Sequence, residues 1–157
     1  MNKNFKGHSL LELVLVVAIA GSVMIAVPTI ISWMNQAGVR HAAENLYAEL
    51  QLARLSAIRN KQPCALVFTT QESSQYCNSL TRQCVRLAQY RGGVRFLPVG
   101  PKGKQMATEI RFNRQGMSMS IAPVHVYLTN RDHTAIYRIR VMLSGGPALE
   151  RWNGKDW

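Results

Sequence analysis

The feature that most constrains this chain is an apolar stretch from Leu10 to Val27 with a single ionisable residue, Glu12. These 18 residues reach the length at which a helix can cross the hydrocarbon of a bilayer. A carboxylate in hydrocarbon costs on the order of 2.5 kcal/mol or more. We therefore expect Glu12 either to meet a charged partner or to lie at the membrane edge and reach the headgroups.

A short basic leader precedes the apolar stretch. Residues 1–7 carry Lys3 and Lys6 and no acid, which by the positive-inside tendency places the N-terminus in the cytoplasm and the rest outside. A cleaved secretory signal peptide is the alternative, because Ala18-Ile19-Ala20 matches its cleavage motif. The sequence remains apolar as far as Ile31, which favours a longer helix instead.

The helix pattern continues to about Asn60, with Pro28 predicted to interrupt or bend it. Beyond Gly38 the apolar residues recur at alternating spacings of four and three, which is typical of one helix face. They are Val39, Ala43, Leu46, Leu50, Ala53 and Ala57. This face is predicted to pack on the chain's own core, with a coiled-coil seam as the alternative.

Short runs separated by Gly, Pro, Asn and Ser follow the helix and predict strands. They are Cys64–Thr70, Cys84–Tyr90, Val94–Pro98, Glu109–Asn113, Val124–Leu128 and Ile136–Leu143. The order predicts an α+β fold, with a long N-terminal helix packed on a C-terminal antiparallel β-rich head. The head has about 115 residues, which is enough for one core.

The leader resembles the processing site of type IV prepilins, in its Lys6-Gly7-His8 sequence and in the position of Glu12. In that family a membrane peptidase cuts after the glycine on the cytoplasmic side and methylates the new N-terminus. The resemblance implies cleavage between Gly7 and His8 and methylation of His8. It also implies that the amine of His8 pairs with Glu12 of a neighbouring subunit during assembly.

Further motifs narrow the resemblance to the subfamily that holds pseudopilin H of type II secretion and the minor pilin FimT. They are Ala53-Arg54-Leu55-Ser56-Ala57-Ile58 before a strand, Phe112 followed by Gly116, and the closing Ser144-Gly145-Gly146. The resemblance implies a non-enzymatic subunit near the tip of a type IV pilus or a type II secretion pseudopilus. Its implied partners are other pilins, prepilin peptidase and the bacterial inner membrane. The implied organisation is a leader (1–7), a transmembrane or filament-core helix (8–38), and an amphipathic helix with a periplasmic head (39–157).

Three cysteines, Cys64, Cys77 and Cys84, follow the helix. Only six residues separate Cys77 from Cys84, so this pair is predicted to staple a hairpin in an oxidising compartment, with the pairings of Cys64 as alternatives. Cys64 lies in an apolar run and is predicted to be a buried free thiol. The cysteines show no paired metal-ligand spacing, and we expect neither a metal nor another cofactor.

The chain is strongly basic, with 19 Lys and Arg against 8 Asp and Glu. Between residues 82 and 114 the only acid is Glu109, and the cations there are candidate ligands for a polyanion. They are Arg82, Arg86, Arg91, Arg95, Lys102, Lys104, Arg111 and Arg114. DNA, lipopolysaccharide and acidic partner subunits are candidate ligands, beside a solvated basic surface with no specific ligand. A DNA-binding minor pilin acting in DNA uptake is therefore the alternative function.

Enzyme signatures are missing from the sequence. His41, His125 and His133 have no neighbouring acid and nucleophile, and Asp132 beside His133 is predicted to form a polar turn. The remaining hypothesis is a single-pass envelope protein that keeps Met1 and joins no filament.

Overall fold

A computed structural model describes residues 10–70 and 74–157, without the side chains of Leu11 and of residues 22–28. The predicted cleavage and methylation site at Gly7 and His8 lies outside the described residues. The chain divides into two compact units, Met1–Trp33 and Met34–Trp157. The organisation predicted from the sequence, with a boundary at residue 38, stays a prediction.

One helix, α1, runs from Leu10 to Asn60, close to the predicted bounds. Its backbone remains helical through Pro28, because a proline removes one backbone donor and need not end the helix on either side. The predicted interruption at this proline is therefore wrong, whereas the alternative, a bend there, stays a prediction. At the C-terminal end, Lys61 has a φ of 52°, and this left-handed residue followed by Pro63 terminates the helix.

In the first unit, the described apolar side chains of α1 are exposed, among them Leu13, Val17 and Ile30. The predicted membrane span also includes residues 22–28, whose side chains are outside the description. Among the described residues, none of the helical stretches combines the length and the apolar character that crossing a bilayer requires.

The described part of the second unit continues with eight strands. They are β1 (Cys64–Thr69), β2 (Gln75–Asn78), β3 (Cys84–Arg86), β4 (Arg95–Phe96), β5 (Glu109–Phe112), β6 (Val124–Thr129), β7 (Ile136–Val141) and β8 (Pro147–Arg151). The first sheet has the order β3-β2-β1-β5 and the second has the order β4-β6-β7-β8. All the pairs are antiparallel.

Two strands, β2 and β8, are absent from the sequence prediction, and several predicted strands are too long. β2 is short and largely polar, and it is held by its pairing with β1, in which Val67 faces Cys77. The predicted strand Cys84–Tyr90 ends at Arg86, because Leu87–Gln89 form a 3₁₀ turn. Strand formation here depends on pairing across the sheet more than on a local pattern.

One hydrophobic core joins α1 to both sheets. All six residues of the predicted helix face, from Val39 to Ala57, are completely buried. They share the core with apolar side chains of the first sheet (Leu66, Ile110 and Phe112) and of the second (Val126, Leu128, Ile139 and Val141). The predicted α+β fold, with a helix packed on an antiparallel head, is confirmed.

Candidate functional site

A disulfide closes the hairpin between β2 and β3. Cys77 and Cys84 are directly opposed in the strand register and are bonded to each other, which confirms the predicted pair. In the turn, the Oδ1 atom of Asn78 accepts a hydrogen bond of 2.9 Å from the backbone N–H of Leu80. Cys64 is free and buried, as predicted, and burial raises the pKa of its thiol, which disfavours the reactive thiolate form.

Replacing both bonded cysteines, with Cys77→Ser and Cys84→Ser, is expected to lower the free energy of unfolding by about 2.5 kcal/mol. The reason is that the bond closes a short loop with a sequence separation of 7 and so restricts the unfolded chain. Urea unfolding of the oxidised wild type and the double variant measures the difference. Reduction of the wild type should reproduce the same loss, and an unchanged unfolding midpoint would contradict the prediction.

The predicted polyanion ligands include residues on three different sheet edges. Arg86 in β3 and Arg111 in β5 lie on opposite edge strands of the first sheet, whereas Arg95 in β4 lies on an edge of the second. Residues that are close in the sequence are separated here, because the chain changes sheet after β3, after β4 and again after β5. Joint binding of a polyanion by all eight cations stays a prediction.

Two of these cations have acidic partners. Lys102 forms an ion pair with Asp156, and Arg111 contacts Glu109 with 3.2 Å between the guanidinium and carboxylate. Both pairs are exposed, so each contributes little to stability, but each also offsets a positive charge on the surface.

Two other predicted cations, Arg91 and Arg95, belong to a group whose other members lie outside residues 82–114. Arg91 and Arg151 contact residues 34–38 of α1, and the loop of Arg91 is hydrogen-bonded to Arg131, which in turn accepts a hydrogen bond from Arg95. All four side chains are exposed. We call these four residues the basal arginine cluster.

The loop that carries Arg91 packs directly on the backbone of α1. The Nη1 atom of Arg91 lies 3.9 Å from the Sδ atom of Met34. A Cβ atom on Gly92 would stand 2.9 Å from the Cα atom of Asn35, and one on Gly38 would overlap the carbonyl oxygen of Arg91. Glycine at both positions therefore permits this close approach.

Hydrogen bonds attach the other three arginines to the same place. The backbone N–H of Arg131 donates to the carbonyl oxygen of Gly92 at 3.0 Å. Arg95 donates from Nη2 to the carbonyl oxygen of Arg131 at 3.3 Å, and Arg151 donates from Nη2 to Oε1 of Gln36 at 3.4 Å. The cluster is thus tied to both α1 and the second sheet.

An open cleft of about 770 Å³ borders the cluster, with Arg151, Trp152, His133 and Thr134 among its lining residues. The Nε2 atom of His133 lies 2.8 Å from Nη2 of Arg95. Arg131 and Arg151 come from segments far along the chain, so the charge window at residues 82–114 could not include them. The one available signal was the predicted polar turn at residues 132–133, which places Arg131 at a strand end.

On the outer face of the second sheet, unlike in the basal arginine cluster, the cations have carboxylate partners. Arg138 donates from Nε to Glu150 at 2.7 Å, and Arg140 contacts the same carboxylate at 3.1 Å. The ring of Trp157 covers the Arg138 guanidinium at 4.2 Å and packs on Tyr127 at 5.6 Å between centroids. Aromatic side chains here pack together near the C-terminal end of the head.

His125 lies on the same face and is the most enclosed of the described histidines. Burial lowers its pKa, and the positive charge of Arg138 lowers it further, so the folded protein favours the neutral ring. In the described part of the chain, His, Cys, Asp and Glu form no group of three or more that could hold a metal ion.

Glu12, the predicted assembly residue, lies exposed in the first turn of α1.

A long helix with its C-terminal half packed on two antiparallel sheets defines a pilin-like protein. Residues 42–145 match the family described as Type II transport protein GspH, and the chain belongs to this family. The predicted resemblance to pseudopilin H and FimT is therefore confirmed. No curated protein matches this sequence significantly.

Two solved structures share the fold at low sequence identity. The type IV minor pilin FimU of Pseudomonas aeruginosa is 13% identical with a TM-score of 0.57, over 75% of this chain and 92% of FimU. The minor pseudopilin EpsH from the Type 2 Secretion System of Vibrio cholerae is also 13% identical, with a TM-score of 0.52, over 72% of this chain and 96% of EpsH.

Proposed function

We propose that this protein is a minor pilin or pseudopilin, a non-enzymatic structural subunit that assembles with other pilins near the tip of a filament. The observation that carries the proposal is the match to the GspH family over residues 42–145. The fold of the head, which is shared with a minor pilin and a minor pseudopilin, supports the same class. A type IV pilus and a type II secretion pseudopilus both fit this role.

The proposal includes an anchor in the bacterial inner membrane, with the N-terminus in the cytoplasm and the head in the periplasm. Its support is the sequence from Leu10 to Val27, in which Glu12 is the only ionisable residue. The described apolar side chains of this stretch are exposed, and such a surface needs cover from lipid or from neighbouring subunits. In a filament, the same helix would pack among the helices of other pilins.

Prepilin peptidase is proposed to cleave between Gly7 and His8 and to methylate the amine of His8. Cleavage exposes a positively charged amine close to an acid in the same apolar segment. In a filament, Glu12 of one subunit is proposed to pair with this amine of its neighbour, because a charge in an apolar environment is tolerable only when it is compensated.

Mass spectrometry of the chain extracted from membranes tests this proposal at its N-terminus. We expect a first residue of His8 that carries one added methyl group. A chain that still begins at Met1 would indicate an anchored envelope protein instead. A chain cut after Ala20 would indicate ordinary signal-peptide cleavage.

A further inference from the structure

We propose that the basal arginine cluster binds the anionic phospholipid headgroups of the membrane that anchors the chain, and so holds the head on the bilayer before assembly. The inference rests on the proposed function, which supplies the membrane anchor. The observation behind it is the grouping of Arg91, Arg95, Arg131 and Arg151, which is attached to residues 34–38 of α1, a short distance after the apolar stretch in the sequence.

The cluster has the charge that an anionic surface requires. Within the described residues, none of its four guanidinium groups has a carboxylate within 4.0 Å. Asp132, the residue after Arg131, is an exposed acid in the adjacent turn. The next cation along α1, Arg40, is paired with Glu44 at 2.7 Å and adds no net charge. Guanidinium groups bind phosphate oxygens through paired N–H donors. In Arg95 and Arg151 only Nη2 donates to a described neighbour, so further N–H groups of the cluster can donate to phosphate.

The cluster also has a rigid base. Arg95 faces Thr129 in the β4–β6 register, and Arg151 faces Tyr137 in the β7–β8 register, which places both at one end of the second sheet. The turn that holds Arg131 is fixed by Asn130, whose Oδ1 atom accepts a hydrogen bond of 2.9 Å from the backbone of Thr134. Because strand ends and a bonded turn position the arginines, little ordering is needed on binding.

The cleft beside Arg151 adds a place for part of a headgroup. It has a volume of about 770 Å³, and its lining includes Trp152 and Thr134. Tryptophan is enriched at the headgroup level of membranes because it combines an apolar ring with an N–H donor. An arginine beside a tryptophan at the rim of a cleft is therefore suited to the polar-apolar boundary of a lipid surface.

Proximity to the anchor favours lipid over nucleic acid. The proposed anchor precedes residue 34 in the sequence, and the cluster is attached to residues 34–38. A chain anchored in this way would keep lipid phosphate at a high local concentration around the cluster. Each arginine near an anionic surface strengthens attachment about fivefold, and salt weakens this attraction. A polyanion that is free in solution would not be held at such a high local concentration near the cluster.

Amide hydrogen exchange of the full chain, reconstituted in vesicles, tests the inference. The wild type is compared in phosphatidylcholine vesicles and in vesicles with added phosphatidylglycerol, and the readout is exchange in residues 91–96 and 131–135. The cluster variant is Arg91→Gln, Arg95→Gln, Arg131→Gln and Arg151→Gln. The matched control removes the same charge elsewhere, with Arg82→Gln, Arg86→Gln, Arg111→Gln and Arg114→Gln. Flotation shows in each case whether the chain is anchored.

With phosphatidylglycerol, we expect exchange in these segments to slow by at least about threefold in the wild type and in the control variant, but not in the cluster variant. High salt should remove the protection in the wild type, which gives a test that needs no substitution. Equal exchange in both lipids by a chain that floats would overturn the inference and leave the proposed function standing. A chain that floats with neither vesicle would overturn both.

Duplex DNA provides the competing outcome. It is added to the wild type in phosphatidylcholine vesicles, and the same two segments are followed. We expect weaker protection than phosphatidylglycerol gives. Protection by DNA without protection by phosphatidylglycerol would overturn the lipid assignment and favour a nucleic-acid surface.

Discussion

Glu12→Ala is expected to leave the protein processed and inserted in the membrane but to reduce its incorporation into filaments by about a hundredfold or more. The reason is that the variant leaves the N-terminal amine of a neighbouring subunit in an apolar environment without its acid. Breaking a buried pair of this kind costs about 3 to 5 kcal/mol. Immunoblots of sheared or purified filaments, normalised to the membrane pool, measure the incorporation.

Glu49→Ala is the matched control for this prediction. Glu49 lies on the same helix, within the head unit, and its loss removes the same charge from the chain. We expect near-normal incorporation for this variant. If Glu12→Ala entered filaments as well as Glu49→Ala does, the charge-pairing role of Glu12 would have to be abandoned.

Gly145→Ala is expected to lower the free energy of unfolding by about 4 kcal/mol or more, or to prevent folding of the head. Gly145 has a φ of 82°, where a side chain is strained. A Cβ atom there would overlap the carbonyl oxygen of Gly116 and lie 3.2 Å from the Cα atom of Met117. The Gly116 backbone cannot move freely, because its oxygen accepts a 3.0 Å hydrogen bond from Nε of Arg54. Urea unfolding and the yield of folded protein measure the effect.

Gly103→Ala separates the two causes of this loss. Gly103 has a φ of 72°, similar to that of Gly145, but a Cβ atom there would meet no heavy atom within 4 Å. We expect a loss of only about 1 to 2 kcal/mol, from backbone strain alone. Equal losses for the two variants would show that the contact with Gly116 contributes nothing.

The same contact explains two motifs that the sequence presented separately. The phenylalanine–glycine motif begins at Phe112, the last residue of β5, and ends at Gly116, and Ser144-Gly145-Gly146 lies between β7 and β8. In the structure they meet, and Arg54 of α1 donates hydrogen bonds to the carbonyl oxygens of Gly116 and Ser144. The helix and both sheets are therefore joined at one point, which a single sequence can suggest only through resemblance.

Local patterns were sufficient for several predictions. The spacing of apolar residues from Val39 to Ala57 identified the buried helix face, since 3.6 residues per turn fixes which side chains share a side. The short loop between Cys77 and Cys84 indicated the disulfide, because neighbouring cysteines on a hairpin are brought together by the turn itself. The left-handed conformation of Lys61 was not foreseen, although the helix was predicted to end at about Asn60.

The sequence by itself determined the single acid in an apolar segment, the amphipathic helix, the α+β class and the excess of positive charge, because each depends on residues close together in the chain. Only the tertiary structure decided which charges lie together. The strand order separated Arg86 from Arg111. The tertiary fold brought Arg95 close to Arg131 and placed Arg151 beside Gln36. The physical reason is that charge clustering depends on pairing between distant strands, and no local periodicity encodes that pairing.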